Sequence, residues 1–301
     1  MTDNRRPPRP IPSAPFPHRM PALTILRRDE HFVAVHKPAG WLVHRTGLDA
    51  GETRFVMQTL RDQLGQHVYP VHRLDKGTCG VLVMALHPAA ARALSQAFEQ
   101  HAVRKHYLAL VRGWAPAQVQ VDHPLRPDDA PPDAPVQSAH TGLRCLARLE
   151  LPESADPRFA STRASLVHAE PTTGRRHQIR RHLKHIAHPI LGDATHGKGP
   201  LNRWWAERLG GQRLWLHAWR LQVPHPVTGK TLMLDSGLPW PGAPQDAARP
   251  SPEVADLQDW QALFAQWPWT FTQATPPADE ALQPAAVWRT TPRDPVQKLY
   301  F

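Results

Sequence analysis

The chain has 301 residues, 41% of them hydrophobic, enough to bury the core of one large domain or two small ones. Its 36 Lys and Arg against 26 Asp and Glu leave a net charge of +10, a field that draws polyanions and makes nucleic acid the natural partner. Two cysteines, Cys79 and Cys145, exclude a disulfide framework and fit a reducing cytoplasm. No apolar run nears the roughly 18 residues of a membrane span, and the start lacks the apolar stretch of a secretion signal, so neither a membrane nor export is expected.

Residues 1–20 are rich in Pro and Arg and predict a disordered basic arm. LTIL and FVAVHK then read as short strands, and ETRFVMQTLRDQLG as a helix with Val56, Leu60 and Leu64 on one face. VHRLDKGTCG reads as a loop feeding the buried strand GVLVMAL. In PAAARALSQAFEQHA, Ala90, Leu94, Ala97 and Phe98 recur at helical spacing, with Pro88 just ahead of the first turn. Strand-like runs follow at KHYLALVRG, GLRCLARLEL, TRASLVHAE, LWLHAWRLQV and TLMLDS. Strands outnumber helices and seldom alternate with them, which predicts an α+β fold, a mixed and mostly antiparallel sheet whose helices and loops flank a cleft. Pro124 to His140, with DDAPPDAP at its centre, predicts a surface insertion. The main domain is expected over 21–240. A Pro- and Ala-rich extension over 241–301 should carry one amphipathic helix, DLQDWQALFAQW, docked through Trp and Phe, with the last 30 or so residues loosely held.

Three segments can carry chemistry. In VHRLDKGTCG, Asp75 stands beside Arg73 and His72 in a loop on a rigid strand, where reactive groups are commonly placed; an ordinary surface turn fits the same residues. In RKHYLALVRGW, Tyr107 among cations is a platform for an extruded base, or a plain core tyrosine. In EPTTGRRHQIRRHLKHIAHPILGD, a turn at TTG precedes a helix with Ile179, Leu183 and Ile186 as its buried stripe. Four-residue spacing sets Arg176, Arg180, Lys184 and His188 along a neighbouring stripe. Like charges so spaced repel, and the stripe therefore calls for an anion, phosphate first. His177, His182, His185 and His188 lack the carboxylate or cysteine partners of a metal site. They read as phosphate contacts, His177 turned inward, and no metal is expected.

These segments together resemble the RluA family of pseudouridine synthases. HKPAGWLVHR at 36–45 resembles its first motif, HRLDKGTCG its catalytic loop, KHYLALVRG its tyrosine strand, and PTTGRRHQIRRH with HPILGD its third motif; the likeness runs from Leu23 to Leu234. The longer phrases GWLVHRTGLD, MQTLRDQLGQHVYPVHRLD and FEQHAVRKHYLALVRGW resemble the branch that modifies uridine 65 of transfer RNA. With only about 20 residues before the first strand, the S4-like amino-terminal module of ribosomal relatives is not expected. Cys79 departs from the serine many members carry; next to GVLVMA it reads as a packed thiol.

The resemblance implies isomerisation of uridine in structured RNA, needing neither redox chemistry nor energy input, hence no cofactor. It implies Asp75 as the catalytic carboxylate and Arg180 as its partner, since a carboxylate shut off from water needs a cation to stay charged. Arg73 is a second candidate partner, better suited to holding RNA or the loop. Tyr107 would stack on the base and assist the final proton removal, and Ile179 would wall the pocket. Extruding the base costs a few kcal/mol, which phosphate contacts from Arg45, Arg175, Arg176, Arg181 and Lys184 can offset. Lys37 is expected to serve the backbone, not catalysis. A single chain acting on transfer RNA in the cytoplasm is the expectation. Ribosomal or dual RNA specificity, a silent RNA-binding protein and a metal-dependent nuclease are the competing readings.

Overall fold

The computed structural model describes residues 21–45, 51–131, 133–240, 254–272 and 287–289, which share one twelve-stranded sheet. Its amino-terminal half holds β1 (Ile25–Arg28), β2 (Phe32–Lys37), β3 (Tyr69–Pro70) and β4 (Cys79–Ala85). Every residue of β2 and β4 is buried because a helix covers each face. Helix α1 (Val56–Leu64) packs Val56 and Leu60 on Val33, Val35, Leu82 and Met84. Helix α2 (Pro88–Glu99) packs Ala90, Leu94 and Ala97 on Phe32, Ala34, Val81 and Val83, the alternate residues of the same strands. Each large side chain so buried contributes about 1.5–3 kcal/mol. α2 starts as its sequence dictates, with Pro88 in the first turn and His87 Nδ1 accepting from the Ala90 amide at 3.2 Å.

The carboxy-terminal half contributes β5 (Arg104–Arg112), β6 (Gln118–Asp122), β7 (His140–Leu151), β8 (Thr162–Pro171), β9 (Leu216–Pro224) and β10 (Thr231–Asp235), with the short β11 (Thr270–Phe271) and β12 (Val287–Arg289). Three helices join them, α3 (Gln178–His185), α4 (Gly199–Arg208) and α5 (Ala255–Gln266). The strand order is β1-β2-β4-β9-β5-β8-β7-β6-β12, with β3 on β4, β10 on β9 and β11 on β7. Among the described strands only β4–β9 and β6–β12 are parallel, so the fold is α+β with a mixed, mostly antiparallel sheet. QVQVD and GPLNRWWAER, which form β6 and α4, are elements that sequence reading did not anticipate. α5 lays Leu257, Trp260 and Leu263 into the main core beside Trp215 and Trp205. The expected arm at 1–20 and most of the terminal 30 residues lie outside the described residues; within the latter, β12 pairs with β6.

The two halves meet where β4 and β9 pair through only Cys79 with His217 and Gly80 with Ala218. Gly80 has φ +111°, and a Cβ there would stand 2.2 Å from the Ala218 carbonyl oxygen, so only glycine allows this approach. Tyr107 packs against the cores of both halves and marks the same place from β5.

Candidate active site

The loop carrying Asp75 is braced from within. Lys37, wholly buried, donates from Nζ to the carbonyls of Pro38, Lys76 and Thr78 at 3.0, 3.1 and 2.7 Å. Gly40 N donates to Lys76 O at 2.8 Å, and Thr78 N to Asp75 O at 3.0 Å. Burial pushes the Lys37 ammonium down to about 8, against the pull of Cys79, Asp256 and Asp75. His72, beside the loop, accepts from Val83 N at 2.9 Å, stacks on Phe98, and is held neutral with a pKa of about 3 by burial and by Lys105.

Arg180 Nη1 lies 3.2 Å from Asp75 Oδ2. The same guanidinium forms a two-pronged pair with Asp193, Nε to Oδ2 at 2.8 Å and Nη2 to Oδ1 at 2.9 Å. Asp193 is fully buried and also accepts from the amides of Thr195 and His196 at 3.0 and 2.9 Å. Burial opposes the Arg180 charge, but the two carboxylates outweigh it and raise its pKa; Asp193 is lowered by the reciprocal bonds despite its own burial. Tyr107 lies near enough to feel Asp75, its phenol pushed up by burial and by that carboxylate. Ile179 is buried in the core cluster against which Tyr107 packs.

The phosphate-contact reading of the third segment is corrected in several places. α3 begins at Gln178 and ends at His185, so Arg176 precedes it and His188 follows it, and no four-membered cationic stripe exists on the helix. Arg180 is buried in the site while Lys184 is exposed. His182 is buried, bonds Thr141 Oγ1 at 2.9 Å and the His123 carbonyl at 3.0 Å, and has its pKa lowered to about 4 by burial. His185 stacks on His123, and His188 bonds the Arg112 carbonyl at 2.8 Å. Burial accounts for His182, whereas His185 and His188 stay half-buried, one stacked and the other bonded to a backbone carbonyl. Only His177 turns toward the site; held at φ +54°, it places Nε2 4.0 Å from Asp75 and Nδ1 3.0 Å from Asp128. Gln178 anchors the turn through four bonds, to Thr173 Oγ1, the Arg175 amide, the His140 carbonyl and Thr141 Oγ1.

The remaining cations divide. Arg45 and Arg73 are exposed, Arg45 over the Phe55 ring, and Arg73 is not the residue that meets Asp75. Arg175 Nε donates to the Ser138 carbonyl at 3.0 Å. Arg176 pairs with Asp128 and Asp129, and Arg181 with Asp128 at 3.3 Å, so the acidic insertion lies against the cationic face. Asp193, Gln178 and Asp128 were given no role by sequence reading. HPILGD had marked the phrase containing Asp193, but not its purpose.

Cys79 is buried, 3.2 Å from His217 Nδ1 and from an Arg213 nitrogen, and burial pushes its thiol up to about 12. Its sulfur, His36 and Asp256 are close enough to hold a metal ion. Arg213, however, already places a guanidinium nitrogen against both Cys79 Sγ and Asp256 Oδ1, and a protonated thiol is a poor ligand. The donor set therefore does not fit a metal.

The structure thus sets a carboxylate against a doubly braced arginine, with a tyrosine nearby, at the seam of a mixed α+β sheet. The model of the RNA pseudouridylate synthase family matches residues 31–185, and the chain belongs to that family, in its RluA branch, as a pseudouridine synthase. It is 49% identical over 254 residues to the Vibrio cholerae protein named tRNA pseudouridine synthase C, covering 82% of this chain and 96% of that one. The Haemophilus ducreyi protein of the same name is 44% identical, covering 83% and 98%. Among solved structures, human RNA Pseudouridylate Synthase Domain Containing 1 aligns with a TM-score of 0.58 at 27% identity, over 81% of this chain and 95% of that one.

Proposed function

We propose that the chain isomerises uridine 65 of transfer RNA, with Asp75 as the catalytic carboxylate, Arg180 as its partner and Tyr107 as the base-stacking and proton-handling group. The observation that carries this reading is the 3.2 Å contact between Asp75 and an arginine fixed from behind by buried Asp193, in a chain so similar to proteins named for transfer RNA. In the reaction the N1–C1′ bond breaks and a C5–C1′ bond forms; the C5 hydrogen leaves to water and N1 takes up a proton. Asp75 stands against the sugar or base as that charge develops. Exposed Arg45, Arg73, Arg175 and Lys184 are assigned to phosphate, and Arg176 and Arg181 join them once Asp128 and Asp129 let go. A monomer working in the cytoplasm completes this reading; the free, buried thiols of Cys79 and Cys145 support a reducing compartment.

Tritium release from 5-tritiated uridine in transfer RNA tests the chemistry: Asp75→Asn should release none while still binding RNA, and wild-type turnover by that variant would refute the assignment. Mapping pseudouridine in RNA from a deletion strain tests the target. Loss at position 65 of transfer RNA is expected; loss in ribosomal RNA alone would overturn it.

A further inference from the structure

α5 reaches back across the molecule with one carboxylate. Asp256, in its first turn, is 220 residues from His36 in sequence and bonds it, Oδ2 to His36 Nε2 at 3.3 Å. The same oxygen accepts from Ala39 N at 3.1 Å, and Oδ1 pairs with Arg213 Nη2 at 2.9 Å. Burial would raise the acid's pKa, but His36, Arg213 and the Ala39 amide bring it down to about 2, so the residue is an anion with every partner in place.

Each partner leads to the Asp75 loop. Ala39 sits between Lys37 and Gly40, the two residues whose donors hold the Lys76 carbonyl. Arg213 contacts Cys79 Sγ at 3.2 Å, at the point where the loop becomes β4. The carboxylate thus reaches two points of the 76–79 stretch that follows Asp75 and ties it to β4. Trp260, on the next turns of α5, packs on His217 and Trp215 and keeps the connection dry. None of these contacts involves the exposed cations Arg45, Arg73, Arg175 or Lys184.

We propose that Asp256 is a positioning residue for the reaction, through which a helix beyond the family match at 31–185 sets the placement of Asp75. The inference rests on the reading of Asp75 as the catalytic carboxylate. Misplacing a reacting group by about 1 Å costs on the order of 100-fold in rate, whereas RNA held through distant phosphates is unaffected.

The test measures kcat and KM for transfer RNA by tritium release in Asp256→Asn, with Asp75→Asn alongside and the urea midpoint of each. Asp256→Asn should lower kcat at least tenfold and leave KM within twofold, in protein that is still folded at the assay temperature. Arg213→Lys, which keeps a cation but cannot bridge Cys79 and Asp256, should show the same split and serves if Asp256→Asn is insoluble. A kcat within twofold of wild type, a change in KM of the same size as that in kcat, or failure of both variants to fold each overturns the positioning role. A dead Asp75→Asn with a normal Asp256→Asn defeats this inference alone; an active Asp75→Asn defeats the site reading and the inference with it.

Discussion

Arg180 is shared by two carboxylates that should respond oppositely to the same substitution. Asp193 is fully buried and holds the guanidinium by two bonds, while Asp75 is 18% exposed and is held by one. Asp193→Asn leaves a buried cation without its main counter-charge. Breaking a buried pair in this way costs about 3–5 kcal/mol, and the surviving Asp75 contact places the loss near the lower end. Asp75→Asn leaves Arg180 seated and forfeits a single partly exposed bond, about 0.5–1.5 kcal/mol. Urea unfolding followed by the fluorescence of the 11 tryptophans should show the difference, with a midpoint lower by roughly 1 M or more for Asp193→Asn and little change for Asp75→Asn. Turnover should vanish in Asp75→Asn and drop on the order of 100-fold in Asp193→Asn as the arginine shifts. Equal midpoints for Asp193→Asn and wild type, or a loss in Asp75→Asn as large as that in Asp193→Asn, would refute the division of labour.

Three further outcomes follow from the same contacts. Asp128 and Asp129 compete with RNA for Arg176, His177 and Arg181, so the double Asn variant should bind transfer RNA about two- to fivefold more tightly at low salt, the range of a partly exposed ion pair; filter binding that shows weaker or unchanged affinity contradicts this. Asp193 and Asp256 have pKa values depressed by folding, Asp256 to about 2 from 3.8, so their stabilisation is present above the unfolded value and is lost as pH falls below it, for Asp256 as pH approaches 2. The Asp256 share is roughly 2 kcal/mol, and Asp256→Asn should flatten the acid limb of a stability profile by that much. Gly80→Ala forces a methyl group into the Ala218 carbonyl and should destabilise by more than about 3 kcal/mol; a thermal midpoint unchanged in calorimetry would disprove the close approach.

Local patterns were readable wherever one element decides them. The spacing of Val56 and Leu60, the alternation through FVAVHK and GVLVMAL, and Pro88 at a helix start each reflect contacts within a few residues, and α1, α2, β2 and β4 follow from them. The third motif misled because helical spacing was extended past the ends of α3; the αL turn at His177 and the termination at His185 remove Arg176 and His188 from the helix. Histidines read as anion contacts proved to be buried or stacked, which depends on β7 and the segment near His123 and so is invisible from spacing.

Residue chemistry and its order along the chain were determined by the sequence alone: a carboxylate in a loop, a tyrosine on a strand, a cationic turn and helix, and the family those motifs resemble. Which charges meet was decided only by the tertiary structure. The order β4-β9-β5-β8 carries Asp75 to Arg180 across 105 residues, sets Asp193 behind the arginine, and turns an insertion of acidic composition onto the cationic face. Such pairings depend on closing long loops and on burial against water, and neither quantity is written in the spacing of neighbouring residues.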